Sequence, residues 1–377
     1  MTAAPRARDL GIPFAGEPGR WNAITDVPGL EVGYRTLVDA ERGVRTGVTA
    51  IHPRGRGGAG DPCVAGFHSQ NGQGEMTGVH WVQESGTFSG PVLFTSTYAI
   101  PAAFEGAVRW TGRHHPAASG GWLLPVVAET WDGYLHDVRG FHLSADDALA
   151  ALEDARPGPL AEGAVGGGTG MVCYGFKGGT GSASRLVAYG GETYAVGVLV
   201  QANFGARREL TIAGVPLGAL LADDDPKAAW YAAPEPPAAG SIIVLVATDA
   251  PLLPSQCAAL ARRATYGLAR TGSGGDHFSG DLFLACSVAN AGAITPEDDA
   301  LRSRAPERLD ALRFVPWGHM DPFNRAVVHA TEEAIVNALV AGEETVGHEG
   351  RRVPGLPRER VARAIRDAVA ARPHPKG

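Results

Sequence analysis

Ser241 has the setting of a nucleophile that supplies its own base. It follows an Ala- and Pro-rich stretch, Asp223 to Gly240, and opens the apolar run IIVLVAT. A chain cut before Ser241 would carry a free α-amine beside the hydroxyl of the same residue. Such an amine titrates at about 7.7 to 8.0, so near neutral pH a useful fraction is unprotonated and can take the hydroxyl proton, directly or through water. The oxygen could then attack an amide or ester carbonyl and form an acyl-enzyme that water releases. The tetrahedral oxyanion needs preorganised donors, and losing one costs about 10²- to 10³-fold in rate. The other reading of the 223–240 stretch is a surface linker of common composition.

Two further places carry residues of suitable type. Asn203, in VQANFG, has an amide that can point at an oxyanion, or it is a turn residue ending a strand before Phe204 and Gly205. Ser279 and Asp281, in HFSGDLF, stand at alternate positions entering a strand, where both side chains can face one side. Capping of a turn is the alternative use for that pair.

These residues need a framework. Strands are expected over 22–36 (NAITDVPGLEVGYRT), 46–53, 91–100 and 123–130, with a turn cluster NGQGEMTG at 71–78 and a helix from Ala103 to Trp110. SADDALAALED (144–154) reads as a helix with Ser144 as N-cap and Asp146 and Asp147 in its first turn. SRLVAYGG and YAVGVLVQANFG read as a strand pair, SIIVLVAT as a buried strand, and PSQCAALARRATYGLART as a helix with Gly272 just past its end. DLFLACSVAN is a further strand, PFNRAVVHATEEAIVNALVAG a long helix, and a last helix spans Pro357 to Ala370. The order mixes strand pairs with helices and lacks strict βαβ alternation.

Composition removes several function classes. With 377 residues, 44% apolar and 19% charged, the chain can bury a large core and is not disordered. Thirty-three Lys and Arg against 40 Asp and Glu give a net charge of −7, and no basic run is dense enough to track phosphates. Nucleic acid is therefore not an expected partner. The opening MTAAPRARDLGIPF has no apolar core of a signal peptide, and no stretch reaches the roughly 18 apolar residues of a membrane helix. A cytoplasmic location is expected. Cys63, Cys173, Cys257 and Cys286 lack CxxC spacing and fit reduced core thiols. The 52 glycines gather between strand patterns, which predicts tight turns and close backbone approaches. GRGGAG (55–60) is followed by Asp61 and Pro62 rather than a helix, and GMVCYGFKGGT has no Ser or Thr after Lys177, so neither predicts nucleotide binding. There is no GxSxG and no HExxH.

The opening NAITDVPGLEVGY, NGQGEMTG, ETWDGYLHD (129–137), GGGTGMVCYGFKGGTGSASR (166–185), VQANFG and the long segment from Gly240 to Gly272 stand in one order. Together they resemble the P1-type aminopeptidases, which comprise the L-aminopeptidase/D-amidase/esterase enzymes and the β-peptidyl aminopeptidases. The resemblance runs from about residue 20 to residue 355. It implies a four-layer αββα sandwich, similar to N-terminal-nucleophile hydrolases but with its own strand connectivity. It implies autoproteolysis between Gly240 and Ser241, giving an α chain 1–240 and a β chain 241–377 within a single domain.

For the site, the resemblance implies Ser241 as nucleophile, Asn203 as oxyanion donor, and Ser279 and Asp281 orienting the freed amine, with Asp where some members carry Glu. A tyrosine of the family's site falls on Tyr134, with Trp131 at the other matching aromatic position. The glycine-rich run 166–185 is expected to bring backbone N–H groups near the active centre. An aminopeptidase must also bind its substrate's ammonium, which favours a carboxylate, and Glu75, Glu129 and Asp132 are candidates. No metal and no cofactor are implied. The expected substrates are short peptides, amides or esters with a free N-terminus, and the expected assembly is a homo-oligomer of αβ units. One alternative is an acyltransferase similar to ornithine acetyltransferase, although that family uses threonine where Ser241 stands. A second is an unprocessed, non-catalytic binding or assembly homologue.

Overall fold

A strand whose every side chain is buried needs cover on both faces, and the run after Gly240 is of that kind. The computed structural model describes residues 5–118, 123–227, 240–296 and 309–371. Most of the 223–240 stretch, residues 228–239, lies outside them.

A four-stranded sheet has the order β1 (Glu31–Asp39), β2 (Val44–His52), β5 (Val92–Ser96), β6 (Val126–Thr130). A six-stranded sheet contains β3 (Cys63–Gly72), β4 (Thr87–Phe88), β7 (Gly179–Tyr189), β8 (Glu192–Asn203), β9 (Gly240–Thr248) and β10 (Ser279–Ser287). Its spatial order is β4-β3-β10-β9-β8-β7, antiparallel except for the parallel β9–β10 pair. Alternate residues of β9 face two different layers. Ile243, Leu245 and Ala247 pack with Val92, Phe94 and Val126 between the sheets. Ile242, Val244 and Val246 pack beneath the helices α4 (Pro254–Arg270) and α5 (Asp321–Ala341).

On the outside of the smaller sheet, α2 (Ile100–His114) and α3 (Ala145–Glu153) bury Ala103, Trp110 and Leu149 against Val48, Leu93 and Val127. The layers are helix, sheet, sheet, helix, in agreement with the resemblance. A short helix α1 (Val79–Ser85) and the last helix α6 (Arg358–Ala370) flank them. Among the described residues no helix is long and apolar enough to cross a membrane.

Ser144 caps α3, accepting from the Asp147 amide while the Asp147 side chain accepts from the Ser144 amide. All four cysteines are free and buried.

Three expectations need correction. The first strand begins at Glu31 rather than residue 22, because Ile24–Asp26 forms a turn of 3-10 helix closed by the Asp26 carboxylate on the Trp21 and Ala23 amides. β3 is not expected from the sequence, since the polar half of CVAGFHSQNG hides a strand that pairs with β10 through most of its length. Gly179 and Gly181 lie inside β7 rather than between strands. A Cβ at Gly181 would come within 2.0 Å of the Ala334 carbonyl of α5, so the helix sits closer to the sheet than any other residue allows.

Candidate active site

The register at the start of β9 brings the site together. Ser241 pairs with Asn203, the last residue of β8, and on the other side with Gly280 of β10. Directly opposed residues share a face, so Ser241 and Asn203 both point between the sheets, as Ile243 and Leu199 do further along. Ser241 is 3% exposed and Asn203 2%. A Cβ at Gly240 would come 3.0 Å from the Asn203 carbonyl oxygen and 3.1 Å from the Cα of Phe204, which is tight for anything but glycine.

The smaller sheet contributes through the loop that leaves β6. The Trp131 amide donates to Ser241 Oγ at 3.2 Å, and the Trp131 carbonyl accepts from Asn203 Nδ2 at 2.7 Å. Asn203 Oδ1 accepts from the Val172 amide at 2.9 Å, within the glycine-rich run. An N–H can be met only by the amide's oxygen and a carbonyl only by its nitrogen, so these two contacts fix which way the Asn203 amide is turned.

Ser279 and Asp281 lie on the opposite face from the Ser241 hydroxyl, beside the backbone that links Gly240 to Ile242. Ser279 pairs with Gly240 and Asp281 with Ile242. The Ser279 hydroxyl donates to Asp281 Oδ1 at 2.5 Å, and Asn71 Nδ2 donates to Oδ2 at 3.0 Å. Burial raises the Asp281 pKa, opposed by Ser279, Asn71 and the Ile242 amide. The Asp281 carboxylate thus lies at the Ile242 amide, while the Asn203 side chain and the Trp131 amide lie on the hydroxyl side of Ser241.

The three candidate carboxylates separate clearly. Glu129 is 4% exposed, accepts from the Glu75 amide at 3.1 Å and from the Thr97 hydroxyl, and has its pKa raised by burial. Gly74 lies close to both Glu129 and β10, since a Cβ there would lie 3.2 Å from Glu129 Oε1 and 3.1 Å from the Cα of Gly280. Asp132 is fully enclosed, with one oxygen accepting from Ser96 and the other from Thr46. Burial lifts its pKa to about 7. Glu75 brings its backbone to the site while its side chain is exposed.

The Tyr134 hydroxyl donates to the Pro226 carbonyl at 2.9 Å, and the Arg351 guanidinium lies 5.7 Å from the Tyr134 ring centre. Among the described residues no group of three or more His, Cys, Asp and Glu is arranged to hold a metal ion. The sequence points to the stretches that hold Trp131 and Val172, the latter in the glycine-rich run expected to bring backbone N–H groups to the centre, but not to these two residues as the partners, and it does not single out Asn71, the first residue of NGQGEMTG, as the support of Asp281.

Residues 22–353 match Peptidase family S58. The chain belongs to this family. It is 46% identical to the beta-peptidyl aminopeptidase BapA of Sphingosinicella microcystinivorans over 367 residues, 94% of this chain and 90% of that one. Among solved structures, the L-aminopeptidase D-Ala-esterase/amidase of Ochrobactrum anthropi, described as a prototype for the serine aminopeptidases and a variant of the Ntn hydrolase fold, superposes with a TM-score of 0.89 at 43% identity. The match covers 97% of this chain and 99% of that one. A Burkholderia sp. beta-aminopeptidase gives 0.86 at 45% identity, covering 98% and 100%. The S58 chain is thus a hydrolase of the serine aminopeptidase and amidase group, on an N-terminal-nucleophile type of fold. Membership in a peptidase family goes against the acyltransferase and non-catalytic alternatives.

Proposed function

We propose that this chain cuts itself between Gly240 and Ser241 and then releases N-terminal residues from short peptides, amides or esters through an acyl-enzyme on Ser241. The observation that carries this reading is the β9 register, which pairs Ser241 with Asn203 on one side and sets the backbone from Gly240 to Ile242 against Ser279 and Asp281 on the other. In self-cleavage Ser241 Oγ attacks the Gly240 carbonyl carbon, the C–N bond breaks as an ester forms, and the proton lost by oxygen ends on the new amine. Water then hydrolyses the ester to a Gly240 carboxylate. Until the amine is freed it cannot act as base, so the Ser279–Asp281 pair assists this first step.

In turnover the amine takes the Ser241 proton and passes it to the leaving group, while the second N–H of Asn203 meets the oxyanion. Glu129 receives the substrate's ammonium, because it is a buried carboxylate close to Gly74 and the start of β10 that a cation would stabilise. The Tyr134 hydroxyl holds the Pro226 carbonyl. After cleavage β8 and β9 remain paired neighbours, which supports one domain made of both pieces. The relatives' names point to two substrate classes, β-peptides and L-aminoacyl or D-alanyl compounds. Assembly of several αβ units and a cytoplasmic setting complete the proposal, and light scattering of the purified enzyme reads the former.

Denaturing gels test the reading. We expect bands of about 25 and 14 kDa, from ~104 Da per residue on this Gly- and Ala-rich composition. The smaller should begin Ser-Ile-Ile-Val, and Ser241→Ala should stay a single inactive chain. A wild-type protein that hydrolyses peptides at full length would refute it.

A further inference from the structure

Lys177 is buried to 0% exposure in the glycine-rich run and has no part in the chemistry so far. Its ammonium donates to three backbone carbonyls, Met171 at 2.8 Å, Gly178 at 2.8 Å and Gly168 at 3.2 Å. A neutral amine has two N–H groups and would leave one carbonyl unmet, so this cage favours the protonated form against the desolvation that lowers its pKa. Full burial of a lysine is costly, and one held at a site invites the question of what its charge acts upon.

The Met171 carbonyl belongs to the same peptide unit as the Val172 N–H, and that N–H donates to Asn203 Oδ1 at 2.9 Å. The path therefore runs from the ammonium through one backbone amide into one side-chain amide. Charge drawn toward the Met171 oxygen makes the Val172 N–H a stronger donor. That bond in turn draws charge toward Asn203 Oδ1 and strengthens the Nδ2 hydrogens. It also holds the peptide plane, and with it the amide's orientation.

We propose that Lys177 is a positioning residue for the reaction, orienting and polarising the Asn203 amide through the Met171–Val172 peptide so that Asn203 is a better oxyanion donor. This inference rests on the reading of Asn203 as that donor. Lys177 itself touches neither substrate nor reacting atoms.

The test is a double-mutant cycle of Lys177→Met and Asn203→Ala on the self-cleaved enzyme, following release from an aminoacyl-p-nitroanilide. Asn203→Ala alone should lower kcat by about 10²- to 10³-fold. An unchanged kcat would overturn the oxyanion reading and the inference with it. Lys177→Met should lower kcat about 10-fold, a fraction of losing the donor outright, with KM held within about twofold. The double variant should be no slower than Asn203→Ala, because the lysine then has nothing to act through.

A further 10-fold loss in the double variant, or a rise in KM with kcat unchanged, would overturn the positioning role while leaving the Asn203 reading intact. If Lys177→Met folds but does not cut itself, the self-cleavage rate replaces kcat in the same cycle. If it does not fold, Lys177→Gln, which keeps two donors without the charge, takes its place. Insoluble protein from both variants counts against the inference, since the ammonium would then serve the fold as a whole.

Discussion

Glu129 and Asp132 stand three residues apart in one motif, yet the fold gives them opposite surroundings. Glu129 borders Gly74 and the start of β10, whereas both oxygens of Asp132 are taken by hydroxyls in a closed interior. We expect Glu129→Gln to lower kcat/KM on free-amine substrates by about 10²-fold, the size of breaking one buried ion pair. Glu75→Gln, whose side chain is exposed, should change it less than about threefold. Asp132→Asn should act on stability rather than on affinity. Steady-state kinetics on a dipeptide amide checks all three, and an equal loss for Glu75→Gln would move the ammonium site away from Glu129.

The glycines inside strands set how near the helices come. Gly181 of β7 faces the Ala334 carbonyl of α5, and Gly66 of β3 faces the backbone of Ala258 in α4, where a Cβ would sit 2.1 Å from its nitrogen. An added methyl must push a helix off the sheet, so Gly181→Ala and Gly66→Ala should each cost about 1–3 kcal/mol in urea unfolding. Gly57, with nothing within 4 Å of its added Cβ, is the control. Its replacement by Ala should stay within about 0.5 kcal/mol. Losing as much stability at Gly57 as at Gly181 would show that the cost is not one of helix approach. Capping is the other local term, and Ser144→Ala should cost α3 about 1 kcal/mol.

Buried acids and bases pull the stability of the whole protein in opposite directions as pH falls. Burial holds His52 and His136 near about 4, below their ordinary 6.5. The unfolded chain therefore binds protons there that the folded one refuses, and stability present above pH 6.5 is lost as pH drops toward 4. Asp132 and Glu162 are raised by burial to about 7. The folded chain takes up their protons first, which favours folding over the same interval. The two effects offset each other, so removing one histidine should show the balance. In His136→Asn the unfolding midpoint at pH 5, taken relative to that at pH 7.5, should be higher than in the wild type. Thermal unfolding at both pH values measures it, and an identical difference in the two proteins would mean that His136 titrates normally.

Part of this molecule is legible in its sequence alone. The Pro- and Ala-rich stretch ending at Gly240, the hydroxyl of Ser241, the alternation of Ser279 and Asp281 and the long apolar runs of β8, β9, α4 and α5 are properties of side-chain type and spacing. They depend on neighbours close along the chain. The family resemblance extends them to the layered fold. What the tertiary structure alone decided is which groups meet. The register pairing Ser241 with both Asn203 and Gly280, the hidden strand β3 and the different surroundings of Glu129 and Asp132 all depend on contacts between distant segments. The glycine-rich run announces that backbone N–H groups come near the site, but which ones, Val172 there and Trp131 in the loop after β6, leaves no mark in a sequence, because a backbone N–H is the same on every residue except proline, and only the fold decides where it points.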